Sequence, residues 1–250
     1  MDEIHLIKYF LIFFVTLIQT VVGTGVLIIG TPILLLMNYE MVDIMLLLLP
    51  ISIVTSLFNL LINKKKNNFK KIFYKSELKS FFLICIPSII LGLFLLKKYS
   101  NYLNFDILVA IIILLTVMIS DKLKFYKYFF VEKINKIINL LIGIVHGLTN
   151  CGGSLLSLFV ISKGDENKNT NFYKITFFYF FLASFQYLLV IYIFGKEYNL
   201  SNIYNLFYIV FFGILLGNYF LRKINIFFFK FTVKLLSMIS VVMLIGKNIY

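Results

Sequence analysis

Acidic residues, histidine and cysteine are all scarce in this 250-residue chain, and each scarcity removes a class of function. Eleven Asp and Glu are spread along the sequence, and none lies deep in an apolar segment, so paired carboxylates for acid–base chemistry are missing. Two histidines, His5 and His146, supply neither a metal cluster nor a nucleophile–base pair. Cys85 and Cys151 both sit within apolar runs, which excludes a disulfide framework and a thiolate cluster. Long polar connections are absent too, which leaves no room for a soluble catalytic or DNA-binding domain. Neither an enzyme nor a nucleic-acid partner is expected, and no cofactor.

What is present is hydrocarbon. Hydrophobic residues fill 61% of positions against 14% charged, and the mean hydropathy is +0.96, the composition of a polytopic membrane protein. Runs long enough to cross a bilayer, about 20 residues each, lie at 6–37, 41–62, 80–96, 105–120, 137–161, 172–194, 203–221 and 226–246. The expectation is an all-α fold of eight transmembrane helices. The start MDEIHLIK is acidic and no small-residue cleavage site follows, so the first run reads as a retained membrane segment.

The net charge of +13 reflects topology rather than nucleic acid. Residues 63–79 carry seven lysines against one acid, and 121–136 carry five against two. Both stretches are expected on the cytoplasmic face, as are both termini, with the acidic turn NYEMVD (38–43) outside. Lys97, Lys98, Arg222 and Lys223 fall outside in this scheme and fit it poorly.

The chain also repeats itself. SIILGLFLLKKY (88–99) and GILLGNYFLRKI (213–224) share a small residue, a Gly four positions on, and a basic pair, at an offset of 125. At an offset of 127, TLIQTVVGTGVL (16–27) lies over GIVHGLTNCGGS (143–154), placing Gln19 over His146 and Gly25 over Gly152. The expected units are residues 1–125 and 126–250, two repeats of four helices. An even number of crossings would give them the same orientation, with a symmetry axis along the membrane normal.

Each half opens on an overlong segment with glycines inside. Residues 6–37 would form a helix of about 48 Å against a hydrocarbon core of about 30 Å, so a break is expected near mid-membrane. Gly23, Gly25 and Gly30 loosen the backbone, and Thr31 before Pro32 resembles an N-cap and first helical position. Asn150 or Ser154 takes that role in the second half, ahead of a helix starting after Gly152 and Gly153. Freed amides at such breaks carry the positive end of a helix dipole and suit a small anion. Candidate binding residues are Gly23, Thr24 and Gly25 at the first break; His146, Asn150, Cys151, Gly152, Gly153 and Ser154 at the second; and Thr55, Asn59 and Gln186 on adjoining helices. Ser52 and Ser56 share the face of Thr55 and Asn59, and Ser184 accompanies Gln186.

Several of these residues have plainer readings. Gly143 and Gly147 read as a helix-packing pair. Cys151 reads as a small packing residue, His146 as a donor to a carbonyl, and the hydroxyls of the second segment as bonded to their own helix. Lys234 reads as a side chain that snorkels outward.

GTGVLIIGTPILLL, the polar second segment with its basic loop, and GLTNCGGSLLSLFVISKG resemble, in order, the signature regions of the sulfite exporter TauE/SafE family. The resemblance implies an eight-helix permease of duplicated four-helix units that moves small anions, often sulfur compounds, across the bacterial inner membrane. The family's usual adjacent glycines are replaced here by Gly25, Val26 and Leu27. Its usual Gly and Pro in the second motif are Asn150 and Ser154, so the usual substrate does not carry over. An uncoupled anion channel and a membrane scaffold remain alternatives, and homo-oligomerisation stays open.

Overall fold

A computed structural model describes residues 3–63, 72–122, 132–162, 168–196, 201–223 and 226–247. The described residues are helical with no strand: α1 (Glu3–Val22), α2 (Val26–Leu36), α3 (Met41–Asn63), α4 (Lys75–Tyr99), α5 (Phe105–Lys122), α6 (Glu132–Thr149), α7 (Gly152–Ser162), α8 (Lys168–Phe194), α9 (Ser201–Lys223) and α10 (Ile226–Lys247). Three of them, spanning Met41–Ile62, Lys75–Tyr99 and Asn169–Phe194, are long and apolar enough to cross a membrane, and several shorter apolar helices surround them. Large exposed side chains such as Phe94, Leu188 and Phe212 are apolar, as a lipid-facing surface requires.

Small residues set the closest helix contacts, and these fix chain direction. A Cβ at Gly143 would collide with Ser88 and the Cys85 carbonyl of α4, and one at Gly147 with the Ile89 carbonyl and Gly92. Both numbers rise together, so α4 and α6 run parallel. Asn139 donating to Ser80 Oγ at 2.7 Å continues that register toward the start of both helices. The same arrangement joins α1 and α9: Gly213 lies against Phe13 and Thr16, and Gly217 against Leu17 and Thr20. Gly143 and Gly147 are thus packing positions, as small residues four apart permit.

One element was invisible in the sequence. Within α4, Phe81–Cys85 forms a π-turn in which the Ile86 N–H reaches the Phe81 carbonyl. Pro87 follows immediately. Its missing N–H removes one rung of the normal ladder, a standard cause of such a slip. Phe81 then packs tilted against Phe178 of α8 and Phe82 edge-to-face against Phe181, with centroids 4.5 and 5.1 Å apart.

The interrupted segments overturn the expected topology. Both breaks are present, at Gly23–Gly25 and Asn150–Cys151, but neither chain continues outward. A Cβ on Gly152 would lie 2.6 Å from the Ile142 carbonyl, ten residues back along α6, which requires α7 to fold back. Val160 of α7 accordingly lines the same cavity as Lys136 of α6. At the first break Gly25 packs on Ile18 and Gln19, and Gly30 of α2 lies against Leu48 of α3. With 11 residues each, α2 and α7 extend about 16 Å, half of a bilayer core of about 30 Å. Both pairs are fold-back hairpins.

Each hairpin is thus followed by three long helices rather than opening a series of four successive crossings, and the two runs, α1–α5 and α6–α10, point in opposite directions. Lys196, just past the end of α8, bonds Glu40 and Asp43 at the start of α3 at 3.2 and 3.3 Å. Lys174, near the start of α8, pairs with Glu77 near the start of α4 at 3.6 Å. We call the first end upper and the second lower. The starts of α1, α3, α5 and α9 lie at the upper end, and α10 runs back alongside α5 and α2 toward it. The expectation that the N-terminus shares a face with the lysine-rich stretches is corrected: α1 begins at the upper end, and both stretches are flanked by residues at the lower. Most of those stretches (64–71 and 123–131) lie outside the described residues. Lys223, a misfit before, now falls at the lower end, while Lys97 stays at the upper, where Nζ donates to the Ile193 carbonyl at 2.8 Å and caps α8.

Candidate functional site at the hairpin tips

The two tips are built alike. Gly23 has φ +86° and its N–H closes on the Gln19 carbonyl at 2.7 Å; Asn150 has φ +65° and its N–H closes on the His146 carbonyl at 2.9 Å. Each is a left-handed residue ending a helix through a bond to the residue four before it. Gly adopts this conformation freely, and Asn is among the few side chains that tolerate it. Positions 23 and 150, like 19 and 146, differ by 127.

The helix starts are not where the sequence placed them. α2 begins at Val26, so Thr31 and Pro32 lie inside it and Thr31 caps nothing. Its Oγ1 instead accepts the Asn150 side-chain amide at 3.2 Å, tying tip to tip. α7 begins at Gly152, and Ser154 lies in its first turn, its hydroxyl donating to the Cys151 carbonyl at 2.7 Å. Thr149 Oγ1 accepts the Cys151 N–H at 3.4 Å.

Polar satisfaction differs sharply between the tips. Gln19, fully buried, is saturated: Nε2 donates to the Ser52 carbonyl at 2.9 Å and to Ser56 Oγ at 3.0 Å, and Oε1 accepts the Val26 N–H at 3.2 Å. Its counterpart His146 is equally buried, yet neither ring nitrogen has a hydrogen-bond partner in the protein. Its plain reading as a donor to a carbonyl does not hold. Thr24 Oγ1, Asn150 Oδ1 and Gln186 Oε1 also lack partners, although Gln186 Nε2 donates to the His146 carbonyl at 3.0 Å.

Tyr179 of α8, which sequence reasoning missed, joins the tips. It is fully buried, its ring centroid is 6.1 Å from that of His146, and a Cβ on Gly153 would overlap its edge. Its hydroxyl lies beside Ser52 and the Leu27 backbone and closes a hydrogen bond with neither. The signal was present: Tyr179 lies 127 positions after Ser52, so the Gln19–Ser52 contact and the His146–Tyr179 contact occupy matching places.

The remaining candidates fall at the margin. Gly23 faces Ile175 and Thr176 of α8, and Cys151 is fully buried. Thr55 returns its hydroxyl to the Ile51 carbonyl at 2.7 Å, and half-buried Ser184 does the same with Phe180, so neither joins the network. Asn59 sits toward the lower end, where Asn218 of α9 donates to it at 3.5 Å. Among the described residues no group of three His, Cys, Asp or Glu is placed to hold a metal. Outside the helices, Glu40 and then Asp43 hold the Lys196 ammonium above the usual lysine range.

No curated protein and no solved structure matches the chain. The family model described as Sulfite exporter TauE/SafE matches residues 9–244. Nearly the whole chain is covered, including both hairpin tips, and so it belongs to the sulfite exporter TauE/SafE family of membrane transporters.

Proposed function

We propose that the protein is a permease for a small anion, a sulfur oxyanion or an organic sulfonate or carboxylate, held where the two hairpin tips meet. The observation that carries this reading is the cluster of buried, partnerless polar atoms on Thr24, His146, Asn150, Tyr179 and Gln186. Such atoms are costly inside a protein unless a ligand or water engages them, about 1–3 kcal/mol apiece. A hydroxyl from Tyr179, another from Thr24 and one ring N–H of His146 are donors of the kind an oxyanion accepts. Leu27 near the start of α2 and Gly153 at the start of α7 both lie beside Tyr179, so the positive ends of two helix dipoles would add to the site. Gly25 and Gly152 let each hairpin close on its own first helix, and Gly153 makes room for the Tyr179 ring.

Residues 1–125 and 126–250 act in this proposal as inverted repeats, each a hairpin and three crossing helices, related by an axis in the membrane plane. The matching tips at an offset of 127 support it. The positive-inside bias then puts the lower end in the cytoplasm of a cell with this protein in its inner membrane, and both termini on the far side. Flux into proteoliposomes from a panel of sulfite, thiosulfate, sulfoacetate, acetate and oxalate tests the function. Saturable uptake of one class supports a permease, ohmic conductance would make the protein a channel, and no flux with any of them would leave a scaffold.

A further inference from the structure

The lower end holds a cavity of about 500 Å³, walled by α4, α6, α7 and α8. At a water's liquid share of roughly 30 Å³, it has room for a small ion with its hydration shell. Three lysines line it, Lys79, Lys136 and Lys174, against one acid, Glu77. Lys174 is 5% exposed, held by Glu77 and lying 5.5 Å from the centroid of the Tyr74 ring, whereas Lys79 and Lys136 are exposed at the rim. The excess charge is positive.

Its apolar lining reaches Phe178, which precedes Tyr179 in the chain, and Leu156, three residues after Gly153. The matching region of the upper end is packed: Leu47, 127 positions before Lys174, is 4% exposed, and Gly30 lies directly on Leu48.

We propose that this cavity is a second anion site, a vestibule in which Lys79, Lys136 and Lys174 gather the transported anion at the lower face before it reaches Tyr179 and His146. The inference rests on the permease reading above. Low-dielectric walls carrying one sign of charge concentrate counter-ions in front of a binding site. The same chemistry would accept a lipid phosphate, because Leu83 and Ile84 border the cavity and Leu83 is exposed on the lipid-facing surface.

The test is uptake of labelled sulfite into phosphatidylcholine liposomes presenting the lower face, with Lys79→Gln/Lys136→Gln compared with Lys98→Gln, an exposed lysine at the upper end. Each rim charge is worth on the order of a factor of two to five, so the double variant should raise KM about 4- to 25-fold and leave kcat in place. The salt dependence of KM should flatten, and Lys79→Arg/Lys136→Arg should restore both. An unchanged KM, or an equal rise in Lys98→Gln, would overturn the vestibule. So would a lipid result: phosphatidylglycerol retained by the wild type in native mass spectrometry and lost in the double variant, with sulfite KM identical. Absence of wild-type flux for the whole panel removes the permease reading and the vestibule together. Wild-type flux with an unmoved KM removes only the vestibule.

Discussion

Replacing His146 by Leu should make the protein more stable and inactive, whereas replacing Gln19 by Leu should make it less stable. The two positions are 127 apart and hold corresponding places at the hairpin tips, yet the sign of the effect inverts. Gln19 makes hydrogen bonds to Ser52, Ser56 and the Val26 N–H. At about 0.5–1.5 kcal/mol each, with a buried amide then left unpaired, their loss should cost about 2–5 kcal/mol. His146 has two buried nitrogens with no partner, each carrying a desolvation cost of about 1–3 kcal/mol. A leucine of similar bulk removes both and adds about 1 kcal/mol of imperfect packing. The net gain should be about 1–5 kcal/mol. Reversible unfolding in mixed micelles measures both changes, and proteoliposome flux measures the function. A His146→Leu protein destabilised by more than about 1 kcal/mol would show that the imidazole is structural, and one that still transports would remove it from the site.

Four further outcomes follow from the same geometry. Tyr179→Phe should cut flux at least tenfold, the worth of about 1.4 kcal/mol of differential binding, with the melting temperature level or raised, because the lost hydroxyl bonds nothing in the protein. Gly92→Ala should destabilise by about 1–3 kcal/mol, since its Cβ would strike the Ile144 carbonyl and Gly147; Gly246→Ala, with nothing within 4 Å, should shift stability by less than about 1 kcal/mol and favourably. Cysteines replacing Tyr102 and Lys196 should label from one face with an impermeant reagent, and one replacing Tyr74 from the other; eight full crossings would instead put position 196 with position 74. Lys196→Met should lower stability by less than about 1 kcal/mol, because the pair is half-exposed. Since the Lys196 pKa is raised, that contribution is complete below the ordinary lysine value and is lost only as pH climbs through the elevated one. The difference between variant and wild type should therefore be flat from about pH 7 to pH 9.

How much of this was legible in the sequence depends on whether the signal was local. Helix positions followed from apolar runs, and the tips from Gly23, Gly25, Asn150 and Gly152, because a left-handed residue leaves a compositional mark. Chain direction after the tip left none. A largely apolar run of 32 residues from 6 to 37 is compatible with a kinked crossing or a hairpin, and only packing separates them, as that of Gly25 on Ile18 and Gln19 does here and that of Gly152 on Ile142 at the second break. That one ambiguity, present twice, decides whether each segment continues or returns, and with it the end of the helices at which α1 begins. The charge pattern had already objected: Arg222 and Lys223 were misfits under eight crossings. The π-turn before Pro87 and the role of Tyr179 were hidden for a different reason, since each depends on what a distant helix presents.

The unequal tips make sense as a division of labour. Six partnerless atoms on Thr24, His146, Asn150, Tyr179 and Gln186, at about 1–3 kcal/mol each, sum to about 6–18 kcal/mol, the size of a whole protein's stability. If Gln19, Ser52 and Ser56 were equally unsatisfied, the helices would gain more by parting than by packing. If His146 and Tyr179 were as fully bonded as Gln19, an anion would have to break those bonds before forming its own, and binding would yield little. In the proposed permease, the fully bonded Gln19 would therefore supply a rigid wall, and the unbonded His146 and Tyr179 the reason to bind. Positions 19 and 146 thus differ in bonding, while Gly23 and Asn150 hold the same left-handed backbone conformation.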